Sequence, residues 1–166
     1  MPLPHGLRTF AARLGGPVAY HAGKAAMRAL NADRPRRTLS PDTARRLGWL
    51  FPALDLTRVE LVERARLVAR WIEHPPRTAG MAFGGVVYLA DPYSERTHEG
   101  LLLLAHELAH VEQIRALGEA AFARRYGEEW LAHGYERMPL EREAEGCRRA
   151  LRERIERAGR DGPDAS

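Results

Sequence analysis

The stretch that most limits what this chain can fold into is residues 101–113, LLLLAHELAHVEQ. Within it, His106, Glu107 and His110 form the pattern His-Glu-x-x-His. Residues four apart on a helix share a face, so the two imidazoles can hold one ion between them. Glu107 then sits about 100° round the helix, within reach of a water bound to that ion. On a strand Glu107 would point away from His106, and the pattern would have no chemical meaning. The flanking residues support a helix: Leu101–Leu104, Ala105, Leu108, Ala109 and Val111 are apolar, with no Gly or Pro among them. A helix apolar around most of its circumference is a buried one, and buried histidines and carboxylates need partners. Two readings follow. One is the site of a zinc hydrolase; the other is a core helix whose histidines hydrogen-bond to backbone or carboxylate groups.

Composition narrows these readings. A chain of 166 residues has the size of one domain and can bury a proper core. Cys147 is the single cysteine, which excludes an internal disulfide framework and a cysteine-built zinc finger, so any metal has to be held by His and carboxylate. The leucine run is interrupted at His106 and Glu107, well short of the roughly 20 apolar residues that span a bilayer, so no transmembrane segment is expected. The N-terminus has no signal-peptide pattern. The default expectation is therefore the cytoplasm, although export without a cleaved signal would leave no such trace.

Charge is concentrated at the front. Residues 1–50 carry nine Lys or Arg against two Asp, +7, which leaves −3 for the remainder of a chain whose net charge is +4. Arg34, Arg36 and Arg37 beside Pro35 are the densest cluster. Of the 26 basic residues 25 are Arg, which points to codon bias more than to selection for binding. Aromatic residues interleaved with the basic ones, as a single-strand binder would use, are limited to Phe10 and Tyr20. Nucleic acid is not an expected partner.

Along the chain, residues 7–30 have helical apolar patches broken by Gly15, Gly16 and Pro17, which suggests one or two short helices or a loosely packed arm. Ser40-Pro41-Asp42 is an N-cap with Pro at the first helical position, opening a helix that Pro52 stops. Residues 56–62 alternate as a strand would. Residues 65–72 fit a helical stripe better than a strand, with Leu67, Val68, Trp71 and Ile72. MAFGGVVYLA, residues 81–90, is β-rich. Gly84 and Gly85 mark either a bulge on an edge strand, beside which an extended peptide can lie, or a hairpin turn between two short strands. Ser94 or Thr97 can cap the helix bearing the histidines, which stops at Gly118. An amphipathic segment, 119–133, stops at Gly134, and a last helix spans 139–159.

Two histidines leave a catalytic zinc one protein ligand short. A third His six residues past His110 is ruled out, because Ala116 stands there. The acidic start of the last helix is the better source: Glu141, Glu143 and Glu145, of which one carboxylate can bind metal and another can orient a metal-bound histidine. The same residues can equally be helix-dipole charges in a first turn.

The pairing of HELAH with a later Glu-x-x-Ala-acid resembles the gluzincin arrangement of thermolysin-like and prenyl-protease-like enzymes. More closely, the stretch from about Phe51 to Ala144, with LFPALDLTRVEL, GMAFGGVVYLA, EGLLLLAHELAHVEQ and LGEAAFARRYGEEWLAHGYERMPLEREAE, resembles the zincin-like core domain associated with bacterial extracellular contractile injection systems. That resemblance implies a zinc metallopeptidase that hydrolyses peptide bonds. His106, His110 and Glu141 would bind one zinc ion, and Glu107 would act as general base on a metal-activated water. Glu143 is the reserve ligand, and Glu143 or Glu145 the orienting acid. Tyr126, His133 and Tyr135 are candidate donors to the developing oxyanion. The implied fold is α+β: a small zincin-like domain with a short twisted sheet packed on the active-site helix and a C-terminal helix closing the site. The expected organisation is a basic arm or short helices over 1–39, the zincin-like domain over 40–159 and a disordered tail over 160–166. The expected partner is a peptide or protein substrate. The competing reading is a non-catalytic zincin fold that binds a partner of an injection or secretion apparatus.

Overall fold

The computed structural model describes residues 5–67 and 78–160. Most of the helical stripe read over 65–72, and the tail beyond Arg160, lie outside the described residues. The fold is α+β, with five α-helices and one four-stranded sheet among the described residues. Helix α1 (His5–Leu30) leads into strand β1 (Arg37–Thr38) and helix α2 (Pro41–Leu47). A 3-10 turn (Leu56–Arg58) precedes β2 (Glu60–Val62), and the hairpin β3 (Gly80–Phe83) and β4 (Val86–Leu89) follows. Helices α3 (His98–Leu117), α4 (Glu119–His133) and α5 (Pro139–Arg160) complete the chain.

Local chemistry accounts for most of these boundaries. Ser40 Oγ accepts from the Thr43 N–H at 3.1 Å and caps α2, with Pro41 in the first turn. Thr97 caps α3 by accepting from the Gly100 N–H at 3.2 Å. Gly118 at φ +80° and Gly134 at φ +73° end α3 and α4 in conformations that other residues rarely adopt. The alternating run 56–62 is a strand only in its second half. Asp55 accepts from the Thr57 N–H at 3.1 Å and from its hydroxyl at 2.6 Å, winding the start into the 3-10 turn.

Strand order is β1-β2-β4-β3. Strand β2 runs parallel to β4, and the other pairings are antiparallel. Both readings of Gly84-Gly85 therefore hold in part. Phe83 pairs with Val86, so the two glycines form a hairpin loop, with Gly84 at φ +60°. Strand β3 is also an edge of the sheet.

Helix α3 packs against β3 and β4 on one side and α5 on the other. Its Leu101, Leu102, Leu104 and Leu108 are fully enclosed with Leu61, Val87, Leu89 and, from α5, Ala144 and Leu151. Each such leucine contributes about 1.5–3 kcal/mol by leaving water. With neighbours on both sides, α3 has no polar face, which accounts for its all-round apolar sequence.

The basic front differs from its sequence reading. It is one helix of 26 residues, with Pro17 inside it, packed along α4. Gly16 is a point of close approach and not a break: a Cβ there would stand 2.6 Å from the Ala123 carbonyl oxygen of α4. Tyr20 Oη accepts from the Gly84 N–H at 2.8 Å, and Lys24 pairs with Glu119 at 2.5 Å, fastening α1 to the hairpin and to α4. No helix among the described residues is long and apolar enough to cross a membrane.

Candidate metal centre

Because α3 is helical across the motif, His106 and His110 share the face that looks toward the first turn of α5. Their Nε2 atoms lie 3.2 Å apart. Glu141, buried on α5, completes a triangle, with Oε2 at 3.2 Å from His106 Nε2 and Oε1 at 3.3 Å from His110 Nε2. An ion bound tetrahedrally at about 2.0 Å separates its ligands by about 3.3 Å, so these three edges have the size of one metal's coordination shell. The donors are two imidazoles and one carboxylate, a set that suits zinc and other divalent ions. The His106/His110/Glu141 cluster can hold a metal ion.

The hydrogen bonds around His110 aim its Nε2 into the triangle. The Gln113 amide donates to the Leu140 carbonyl at 3.0 Å and to Glu143 Oε2 at 2.9 Å. That fixes its oxygen toward His110 Nδ1, 2.9 Å away. Nδ1 therefore carries a proton, and Nε2 faces Glu141, where a proton or a metal cation can sit between them. His106 is less complete. Its Nδ1 is buried without a hydrogen-bond partner, and Glu145 Oε2 stands 3.8 Å from it. Tyr126 Oη donates to Glu141 Oε1 at 2.7 Å.

Electrostatics distinguish the two buried acids. Burial pushes the Glu107 carboxyl above its usual range, and neighbouring Glu141 adds to this against the opposing pull of the two histidines. Burial would raise Glu141 as well, but hydrogen bonds from His106, His110 and Tyr126 hold it well below the usual range. Burial alone would lower His110. Glu141 and Glu107 outweigh that and bring it up to about 8. Thus Glu141 is held as an anion suited to a cation, while the protonated form of Glu107 is favoured.

Of the other residues singled out in the sequence, Glu143 lies outside the cluster, holding Gln113 from an exposed position. Glu145 is beside His106. Tyr126 touches Glu141, and Tyr135 lines the cavities on both sides of the cluster. His133 is exposed at the end of α4 and lines neither cavity. Two contributors went unassigned in the sequence. Gln113, three residues after His110 on the same face, could have been found by helical spacing. Gly80 could not: a Cβ there would stand 2.5 Å from Glu107 Oε1, so the edge strand presses on the carboxylate only because it lacks a side chain.

The cluster lies where two cavities meet. One, of about 870 Å³, is walled by α5 and carries Arg142, Arg148 and Glu145. The other, of about 490 Å³, is walled by α1, α4 and β3, with Tyr20, Phe83, Phe122 and Trp130. Gly80, His106, Glu107 and Glu141 border both.

An α+β domain that gathers two histidines of one helix and a glutamate of another around a shared point is the class this fold and site define. Residues 54–118 match the family described as the eCIS core domain, a stretch that includes His106, Glu107 and His110 and ends before α4 and α5. No curated protein and no solved structure matches the chain.

Proposed function

We propose that this protein is a zinc-dependent peptide hydrolase, with His106, His110 and Glu141 as ligands and Glu107 as the group that moves the proton. The observation that carries this reading is the position of Glu107. It is buried beside the metal cluster, on the border of both cavities, with a raised pKa and no place in the triangle. A structural zinc site has no use for such a base. Bound zinc would supply a Lewis acid that lowers the pKa of water to about 7 and polarises the carbonyl.

Glu107 takes the proton as water oxygen bonds to the carbonyl carbon, and returns it to the amide nitrogen as the C–N bond breaks. The products are a carboxylic acid and an amine, and Glu107 ends as it began. Gln113 and Tyr126 hold His110 and Glu141 in place, and Tyr135, which lines both cavities, is the donor proposed for the developing oxyanion. An extended substrate would lie along the unpaired edge of β3, its backbone satisfying that strand's free groups and running from one cavity into the other past Glu107. The family match over residues 54–118 supports an association of the protein with a contractile injection apparatus.

Replacing Glu107 with Gln tests the mechanism. The variant should keep its zinc and lose about 10²- to 10⁴-fold in peptide hydrolysis. Hydrolysis at the wild-type rate would remove Glu107 from the mechanism.

A further inference from the structure

The two cavities differ in chemistry, and the difference lies on opposite sides of Glu107. The α5 side carries charged side chains of both signs. The α1 side is apolar and aromatic: Tyr20, Met81, Phe83, Phe122, Tyr126 and Trp130 surround about 490 Å³. Large apolar side chains normally close on one another; here they leave a space ample for a bulky side chain, open to the metal cluster. Trp130 is 54 % exposed on its rim, an uncovered aromatic surface beside the reacting centre.

The wall is built to stay open. Tyr20 packs edgewise on Phe122 and tilted on Phe83, with centroids 6.1 and 5.2 Å apart, and its hydroxyl is tied to the Gly84 N–H. Gly16 brings α1 against α4, while the Lys24–Glu119 pair fixes the next turns. Helix α1 is therefore a fixed wall of the pocket. It lies outside the segment that matches the family, whereas the β3 and α3 residues of the pocket lie inside it.

We propose that this α1–α4 pocket receives a large apolar or aromatic side chain adjoining the scissile bond, making the protein selective for peptides that carry one there. The inference rests on the hydrolase reading and adds its substrate class. Ala19 lines the pocket from an exposed position on α1, so a larger residue there fills the space without disturbing the core.

The test compares L-phenylalanine hydroxamate with glycine hydroxamate, two zinc-binding probes that differ by a benzyl group, by calorimetric titration of the zinc-loaded chain. Wild type should bind the phenylalanine probe about 10- to 100-fold more tightly. Ala19→Trp should bring the two within about 3-fold of each other, leaving the glycine probe unaffected. Trp130→Ala should narrow the gap partly. Val18→Trp, at a 70 % exposed position outside the pocket, should leave it unchanged. Equal binding of the two probes by wild type, or a preference that survives Ala19→Trp, overturns the pocket assignment while leaving the metal reading intact. If neither probe binds, the metal reading falls and takes this inference with it. Probes that bind as expected to a chain that cleaves no peptide would uphold the pocket and refute the hydrolase.

Discussion

Two buried glutamates show what separates a structural ion cluster from a site. Glu95 is 2 % exposed and Glu141 6 %. Glu95 receives the Arg37 guanidinium on one oxygen and the Ser40 N–H at 3.1 Å on the other. Arg37 also reaches Glu63 at 2.9 Å, and Glu63 accepts from Ser94 at 2.6 Å and from the Glu95 N–H at 3.0 Å. Every charge there has a partner of permanent opposite charge or a backbone donor, and the network ties β1 and the end of β2 to the approach to α3. Glu141 has no such cation. Its neighbours are two imidazole nitrogens and a phenol. With His110 Nδ1–H held by Gln113, Nε2 faces the carboxylate, and the pair is satisfied by a proton or by a metal cation between them. One network is closed by the protein; the other is closed by what it binds.

The difference can be broken from either side, and the largest effect is expected at the closed network. Glu95→Ala leaves Arg37 half-buried with one partner fewer and should cost about 3 kcal/mol in urea unfolding, equally with zinc or with chelator. Glu141→Ala should behave oppositely. Zinc at a hundredfold over its Kd should stabilise wild type by about 2.7 kcal/mol and leave this variant unmoved.

A smaller effect sharpens the account of the second layer. Gln113→Leu removes the acceptor that sets the His110 tautomer and should weaken zinc binding about 10-fold in a competition titration, with stoichiometry unchanged. Smallest is a pH effect at the closed network. Burial would raise Glu63, but Ser94, Arg37 and the Glu95 N–H together hold it below 4.5. A folded-state pKa lower than the unfolded one gives stability that is complete above the unfolded value and is lost as pH falls through the folded one. The melting temperature should therefore hold above about pH 5 and fall below it, and Glu63→Gln should flatten part of that fall.

What could be read from the sequence was what depends on near neighbours. Ser40, Thr97, Gly118 and Gly134 act on their own turns, so the helix ends they set are visible without a fold. His106, Glu107 and His110 are fixed relative to one another by a single helix. Glu141 and Glu143 are different. They flank the apolar stripe of Leu140, Ala144, Cys147 and Leu151 on opposite sides, at about 100° per residue, and only the way α5 docks on α3 decides which flank meets the histidines. The unbroken α1 was hidden for a similar reason: Gly15-Gly16-Pro17 reads locally as a break, while the contact that calls for Gly16 comes from α4. The apolar pocket draws on α1, β3 and α4 together, and no single stretch of sequence announces it.

The central claim is that the open cluster is a metal centre, and zinc stoichiometry tests it most directly. Elemental analysis of the purified wild type should give about one zinc per chain, with the metal lost in His110→Ala and Glu141→Ala and kept in Glu63→Gln, a change at the closed network. A wild-type chain that holds no metal even after dialysis against zinc would contradict the account and make His106 and His110 packing residues of a partner-binding fold.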